Sequence, residues 1–195
     1  QNSYAGEVWV FYGATSASWT YTSDADATLS GNGYDYLGER IAGGEDLDGD
    51  GYTDLAATAD GVSMVNVYLG GSSRMADGQA ADIMLEDTTN TYSYMGSSGL
   101  SMGDLSGDGT GDLVMSDYYA SSNLGTAWTF YGPLSSGMTY DVADADSTLT
   151  GATGNTYDYF GRKTNVADVT GDGIDDLMVS QPGQYSIWIF NGGAM

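Results

Sequence analysis

The chain has no cysteine and no histidine. Disulfides therefore neither brace the fold nor report its compartment. The commonest general base and the commonest metal ligand are also missing, so catalysis built on a Cys or His nucleophile system is excluded. Lysine occurs once, at Lys163, and arginine only at Arg40, Arg74 and Arg162. Against 27 acidic residues this leaves a formal net charge of −23. A general nucleic-acid binder needs a basic footprint, which this chain lacks, and electrostatic docking on an anionic membrane is disfavoured for the same reason. No apolar run approaches the length of a membrane span. There is no Asn-x-Ser/Thr sequon, no Gly-Lys-Ser/Thr phosphate loop and no long segment with a 3.6-residue apolar period. The first residue is Gln and no signal peptide follows it; we read the chain as processed or excised from a longer one.

What is present points to short strands and tight turns. The chain is 41% hydrophobic and 12% aromatic, enough to bury a core and too much for a disordered polyanion. Glycine (30) is abundant, proline (2) is scarce, and tyrosine (16) dominates the aromatics, a balance that suits strands over helices.

The sequence repeats itself. "DLDGDGYTD" at 46–54 has relatives in "DLSGDGTGD" at 104–112 and "DVTGDGIDD" at 168–176, offset by 58 and 64 residues. Each is followed by an apolar run: "LAAT", "LVMS" and "LMVS". Each is preceded by a Tyr-x-Tyr-apolar-Gly element: "YDYLG" (34–38), "YSYMG" (92–96) and "YDYFG" (157–161). An aromatic run ending in Gly comes next: "VNVYLG" (65–70), "AWTFYG" (127–132) and "IWIFNG" (187–192), with a further copy, "VWVFYG", at 8–13. "DADATLSG" at 24–31 returns as "DADSTLTG" at 144–151, and "ADIMLED" at 81–87 is a degenerate version. The unit is thus about 60 residues long and holds four strand-like segments, A to D, with the acidic turn joining A to B as a hairpin. The C segments are apolar on both faces, which predicts cover on both faces. Four-stranded antiparallel units repeated at this period and buried on both sides predict radial stacking, an all-β protein of β-propeller blades. A solenoid is the competing architecture.

These elements resemble the FG-GAP repeats of integrin α-subunit propellers and their bacterial relatives. In that family a repeat carries Phe-Gly, a Gly-Ala-Pro-like segment and a calcium loop of the form D-x-D-x-D-G-x-x-D. Here the Phe-Gly position reads Leu37-Gly38, Met95-Gly96 and Phe160-Gly161, so the last alone is literal. The Gly-Ala-Pro position departs from the pattern in all three copies ("TADG", "SDYYA", "SQPG"). The acidic loops match well.

As ligands, the first loop offers Asp46, Asp48, Asp50 and Asp54 with the Tyr52 carbonyl. The second offers Asp104, Ser106, Asp108 and Asp112 with the Thr110 carbonyl, and the third Asp168, Thr170, Asp172 and Asp176 with the Ile174 carbonyl. All are hard oxygen donors, which suit Ca²⁺ over zinc or copper, while Mg²⁺ prefers to keep several waters. An EF-hand would need a bidentate Glu at loop position 12, where Ala57, Met115 and Val179 stand. A solvated Asp-Gly turn explains one copy equally well; three copies in phase favour metal. With ligand charges of −4, −3 and −3, the first of the three calcium sites is expected to bind tightest. Affinity in the range of extracellular modules, about 10⁻⁴ to 10⁻³ M, implies secretion or surface display.

Trp9, Trp128 and Trp188 occupy equivalent C positions and are expected to pack between blades. The Tyr-x-Tyr pairs are expected to be structural, with one ring of each at the rim. Asp24, Asp26, Asp144 and Asp146 are read as solvated loop residues, and Arg40 and Arg162 as partners of nearby acids. The segments divide the chain into an incomplete leading blade (1–33), repeat 1 (34–91), repeat 2 (92–156) and an incomplete repeat 3 (157–195), thirteen strands in a single propeller segment whose ring does not close. The expected function is a non-enzymatic, calcium-binding, extracellular module for adhesion to a protein or glycan ligand at the cell surface. A subunit that self-assembles through its unfinished blades into a homo-oligomer or filament is a second reading. A non-catalytic part of a secreted hydrolase is a third. Neither nucleic acid nor membrane insertion is expected.

Overall fold

Strands form where apolar and β-branched residues run between Gly- and Asp-rich turns. The computed structural model describes residues 4–13, 18–88, 95–96, 98–151 and 157–193. Tyr92 and Tyr94, the two rings of the second Tyr-x-Tyr element, lie outside these residues. Among the described residues the fold is all-β, with four sheets and no closed barrel.

Sheet I pairs β1 (Glu7–Val10) with β2 (Ala27–Ser30). Sheet II runs, from its inner edge, β3 (Leu37–Gly43), β4 (Leu55–Ala59), β5 (Met64–Tyr68) and β6 (Ile83–Glu86). Sheet III repeats that order with β7 (Gly99–Gly103), β8 (Asp112–Asp117), β9 (Thr126–Phe130) and β11 (Ser147–Thr150). Sheet IV has β12 (Thr164–Ala167), β13 (Asp176–Gln181) and β14 (Ser186–Phe190). All these neighbours are antiparallel, and each acidic turn joins the two innermost strands of its sheet.

One strand departs from the four-stranded expectation. β10 (Thr139–Asp141) leaves the segment that follows β9 and adds itself, parallel, to the outer edge of β6 in sheet II. The open edge of β6 presents unpaired backbone groups, and the passing segment takes them up. Tyr140 anchors it by an edge-on contact with Phe130, ring centroids 6.2 Å apart. The Thr88 amide donates to Asp141 Oδ2 at 2.9 Å.

The sheets stack in a row, I on II, II on III, III on IV. Val8 and Leu29 of sheet I meet Leu37, Ala57 and Ala59 of sheet II. Val65, Val67, Ile83 and Leu85 on the other face of sheet II meet Leu113, Met115, Trp128 and Phe130 of sheet III. Val114 and Ala127 on the far face of sheet III meet Leu177 and Val179 of sheet IV. The three residues at the Phe-Gly position fill equivalent places in successive interfaces: Leu37 in the first, Met95 in the second, Phe160 in the third, all buried. The inner strands come close, β7 lying against both β3 and β12. That approach needs small residues: a Cβ on Gly103 would sit 2.2 Å from Val166 Cγ1.

The stacking explains which C strands are covered. In β9, in the middle of the row, all five residues are buried, including Trp128. β1 and β14 belong to the end sheets, which have a neighbour on one side alone. On the faces without a neighbour, Trp9 is 43% exposed, Ile187 74% and Ile189 54%; Trp188 shares the inner face of sheet IV with Val179 and is 45% exposed because β14 is that sheet's outer strand. Burial of the C strands on both faces therefore holds inside the row and fails at its ends. Of the Tyr-x-Tyr pairs, the third has one exposed ring, Tyr157, beside a half-buried Tyr159, as expected, whereas Tyr34 and Tyr36 are both exposed, gathered around Tyr4 at centroid distances of 5.7 and 5.6 Å.

Candidate metal centres

The three acidic turns share one hydrogen-bond frame. In the first, Asp46 curls back over the loop: Oδ1 accepts the Gly49 and Asp50 amides at 2.7 and 3.1 Å, and Oδ2 accepts the Gly51 amide at 2.7 Å. Asp104 accepts from Gly107, Asp108 and Gly109 at 2.7, 3.1 and 2.9 Å. Asp168 accepts from Gly171, Asp172 and Gly173 at 2.6, 3.2 and 2.9 Å. The fifth residue of each loop accepts the amide of the seventh: Asp50 from Tyr52, Asp108 from Thr110, Asp172 from Ile174. The glycine at position 6 is left-handed in every copy, with φ of 92°, 89° and 92° at Gly51, Gly109 and Gly173, a conformation that side chains resist.

In the first turn the side chains at positions 1, 3 and 5 face one another. Asp46, Asp48 and Asp50 bring carboxylate oxygens within 4.8 Å of each other. In the second turn Ser106 stands at position 3, its Oγ 3.3 Å from Asp104 Oδ1. The amide donors outweigh burial and hold Asp46 below the usual carboxylate range. Asp48 is pushed up, by burial and then by the charges of Asp50 and Asp46. The donor set is oxygen throughout, and carboxylates this close repel until a cation separates them; the chemistry fits a hard divalent ion.

The Asp at position 9 stands apart from that trio. Asp54, Asp112 and Asp176 are buried at the first residues of the B strands or just before them, and each spans two or more amides. Asp54 accepts from Leu47 and Gly70, both at 2.7 Å. Asp112 accepts from Ser106 at 2.9 Å and Gly132 at 3.0 Å. Asp176 accepts from Val169, Thr170 and Gly192 at 3.0, 3.0 and 3.1 Å. Burial pushes Asp54 up, and Asp112 up to about 6, against these donors. At Asp176 burial works the same way, but the Gly192, Thr170 and Val169 amides prevail and leave the carboxyl below its usual value.

Successive turns are also tied together. The Asp46 carbonyl accepts the Gly111 amide at 2.8 Å, and the Asp104 carbonyl accepts the Asp175 amide at 3.1 Å. Leu47 and Leu105, at position 2, are buried under the following repeat, whereas Val169, in the last sheet of the row, is 49% exposed.

Residues 37–73, which hold β3, the first acidic turn, β4 and β5, match the family model of the FG-GAP repeat. The chain thus carries an FG-GAP repeat, a non-catalytic module, within an all-β fold, as the family of integrin α-like propellers does. No curated protein matches the chain.

Two groups of residues acquire roles that the sequence alone did not assign. Asp26 and Asp146, read as solvated, and Asp82, given no role, each accept an amide near the end of a C strand: Tyr12 at 2.8 Å, Leu69 at 2.9 Å and Tyr131 at 2.8 Å. Asp24 and Asp144 likewise accept local amides, from Thr20 and Tyr21 and from Asp141. The recurrence of "DAD" before two D strands was the available signal. The cations also sort unexpectedly. Arg40 pairs with Glu39 at 3.2 Å and Arg74 with Asp26 at 3.1 Å, whereas Arg162 lies over the Tyr118 ring, 5.2 Å from its centroid.

Proposed function

We propose that the chain is part of a calcium-stabilised, integrin-α-like β-propeller that acts outside the cell as a module for adhesion or protein binding, and not as an enzyme. The observation that carries this reading is the common frame of the three acidic turns: the same amide donors and the same left-handed glycine, with the carboxylates of Asp46, Asp48 and Asp50 converging in the first. Asp46, Asp48 and Asp50, then Asp104, Ser106 and Asp108, then Asp168, Thr170 and Asp172 would hold the ions, with the Tyr52, Thr110 and Ile174 carbonyls and one oxygen of Asp54, Asp112 and Asp176 completing each shell. A carboxylate oxygen that accepts one N–H keeps a lone pair for a metal. Three Ca²⁺ would bring the net charge from −23 to −17. Face-to-face stacking with β3, β7 and β12 innermost is the arrangement expected of propeller blades. A thermal melt in calcium, in magnesium and in chelator tests the reading. Calcium should raise the midpoint well above that in chelator and more than magnesium does; an unchanged midpoint sinks it.

The two ends of the row favour a second reading, a subunit that assembles with its own copies. Inside the chain the face carrying Trp128 and Phe130 packs on the face carrying Val65 and Val67. The exposed Trp9 is on a face of the first kind, and the exposed Ile187 and Ile189 on a face of the second, because they hold the matching positions of their strands. Copies could stack head to tail as the internal sheets do. Light scattering after size exclusion distinguishes the readings. Assembly predicts oligomers that Trp9→Asp or Ile187→Asp each abolish, while a mixture of the two variants still forms dimers. A monomer at high concentration rules assembly out.

A further inference from the structure

Three of the four cations in this acidic chain line one cavity. It has a volume of about 550 Å³ and lies at the ends of the strands opposite the acidic turns, between Arg40 of β3, Arg162 and Lys163 just before β12, and Tyr118 and Tyr119 just after β8. The cations come from equivalent places in the repeat: Arg40 and Lys163 both stand two residues after the Phe-Gly-type glycine, Gly38 and Gly161. In sheet III the same place is Ser98, a small hydroxyl that leaves room between them and also lines the cavity. Burial and then the charges of Arg40 and Arg162 pull the Lys163 ammonium below its usual value, so the three are near enough to repel.

Like charges gathered in a chain with so few of them call for a counter-charge. Two acids in the wall, Glu39 and Asp60, supply part of it. Arg40 Nη1 donates to Glu39 Oε1 at 3.2 Å and to the Glu39 carbonyl at 2.8 Å. Its Nε is buried and has no acceptor among the described residues. The hydrogen bonds of Arg40 to Glu39 use Nη1, which leaves Nη2 to donate to a further carboxylate. Three cations against two acids leave the lining with one net positive charge, which matches a singly charged anion. A polyanion would meet the strong negative field of the rest of the molecule. The Tyr118 and Tyr119 rings lie against each other beside the cations, centroids 4.0 Å apart and planes tilted by 40°, and Tyr119 is 43% exposed. Such rings offer an apolar platform with hydroxyls at its edge, suited to a sugar ring.

We infer that this cavity binds a monovalent carboxylate carried on a saccharide ring, a uronic acid, with Arg40, Arg162 and Lys163 holding the carboxylate and the Tyr118–Tyr119 pair holding the ring. The site is independent of the metal reading, because it shares no residue with the acidic turns.

Calorimetric titration of the full chain at constant calcium and low salt tests it. Glucuronate should bind, glucose should bind at least about tenfold more weakly, and so should inorganic phosphate. Lys163→Gln and Arg162→Gln, at exposed positions that leave the fold intact by circular dichroism, should each weaken glucuronate about tenfold. Arg74→Gln, which removes the one cation outside the cavity, should leave glucuronate binding unchanged. The inference is overturned if glucuronate at about 10 mM gives no saturable heat, if glucose or phosphate binds as well, or if the cavity variants bind like wild type. Failure of the calcium melt with an intact glucuronate isotherm would refute the metal reading alone.

Discussion

Asp112 Oδ1 accepts the amide of Gly132 at 3.0 Å while its Oδ2 accepts that of Ser106 at 2.9 Å. One buried carboxylate thus ties the acidic turn, the start of β8 and the end of β9 into a single knot. Asp54 does the same between Leu47 and Gly70, and Asp176 between Thr170 and Gly192. The glycine that ends each C strand is part of the knot: a Cβ on Gly132 would lie 2.5 Å from the Gly111 carbonyl, and one on Gly192 would lie 2.1 Å from that of Asp175. Two features of the repeat, its ninth-position Asp and its terminal Gly, therefore have one cause.

Asp112→Ala should be costly with or without metal. It leaves two amides of a buried turn without acceptors, at about 1–3 kcal/mol each. The expected loss is about 2–4 kcal/mol in urea unfolding performed in chelator. Saturating calcium should not restore wild-type stability. A loss below about 1 kcal/mol in chelator would show that the knot contributes little.

The exposed carboxylates at position 5 should behave in the opposite way. Asp50 and Asp108 are exposed, and each accepts a single local amide. Asp50→Asn and Asp108→Asn should change stability in chelator by less than about 0.5 kcal/mol. In calcium each should lose most of the stabilisation from its own site, and calorimetric titration should show one site weakened about tenfold or more while the others are kept. Asp108→Asn should weaken its site more, since it drops from three carboxylates to two, and Asp50→Asn from four to three. Equal stoichiometry and affinity in both variants and wild type would remove these side chains from the metal shell.

Much of this was legible before any coordinates, and the reason is periodicity. An Asp-Gly turn, an apolar run and an aromatic run recurring in phase define hairpins whatever their surroundings, so the A to D strands and the acidic turns that join them could be read directly. Three things could not. β10 has no strand signal in "TYD"; it exists because the outer edge of β6 was open and a long connection passed by. The exposure of Ile187 and Trp9 depends on where the row of sheets ends, while their local sequence is the same as that of the buried β9. The cavity cations are adjacent through stacking alone, for Arg40 and Lys163 are far apart in sequence and meet because β3, β7 and β12 lie side by side. Periodic reading finds what each repeat does to itself and misses what one repeat does to the next.

A last expectation concerns Asp60, which follows β4 and borders the cation-lined cavity. Burial pushes its carboxyl up; the Thr58 hydroxyl opposes this, Glu39 adds to it and Arg40 opposes it. Its Oδ1 is buried without a hydrogen-bond partner among the described residues. A raised carboxyl means that the folded chain holds the proton more tightly than the unfolded chain does. The stability it contributes is fully present below the unfolded value near 3.8 and is lost as pH rises through the folded one. At neutral pH the fold must therefore keep an ionised carboxylate partly out of water. Asp60→Asn removes that charge and keeps the shape. Relative to wild type it should melt higher at pH 7, and the gap should close as pH falls toward 3.8. Taking the difference between the two proteins at each pH cancels the titration of the acidic turns, which both share. Scanning calorimetry across that range, at constant calcium, measures it. A variant that melts lower at pH 7, or a gap that does not change with pH, would mean that attraction to Arg40 outweighs burial at this site.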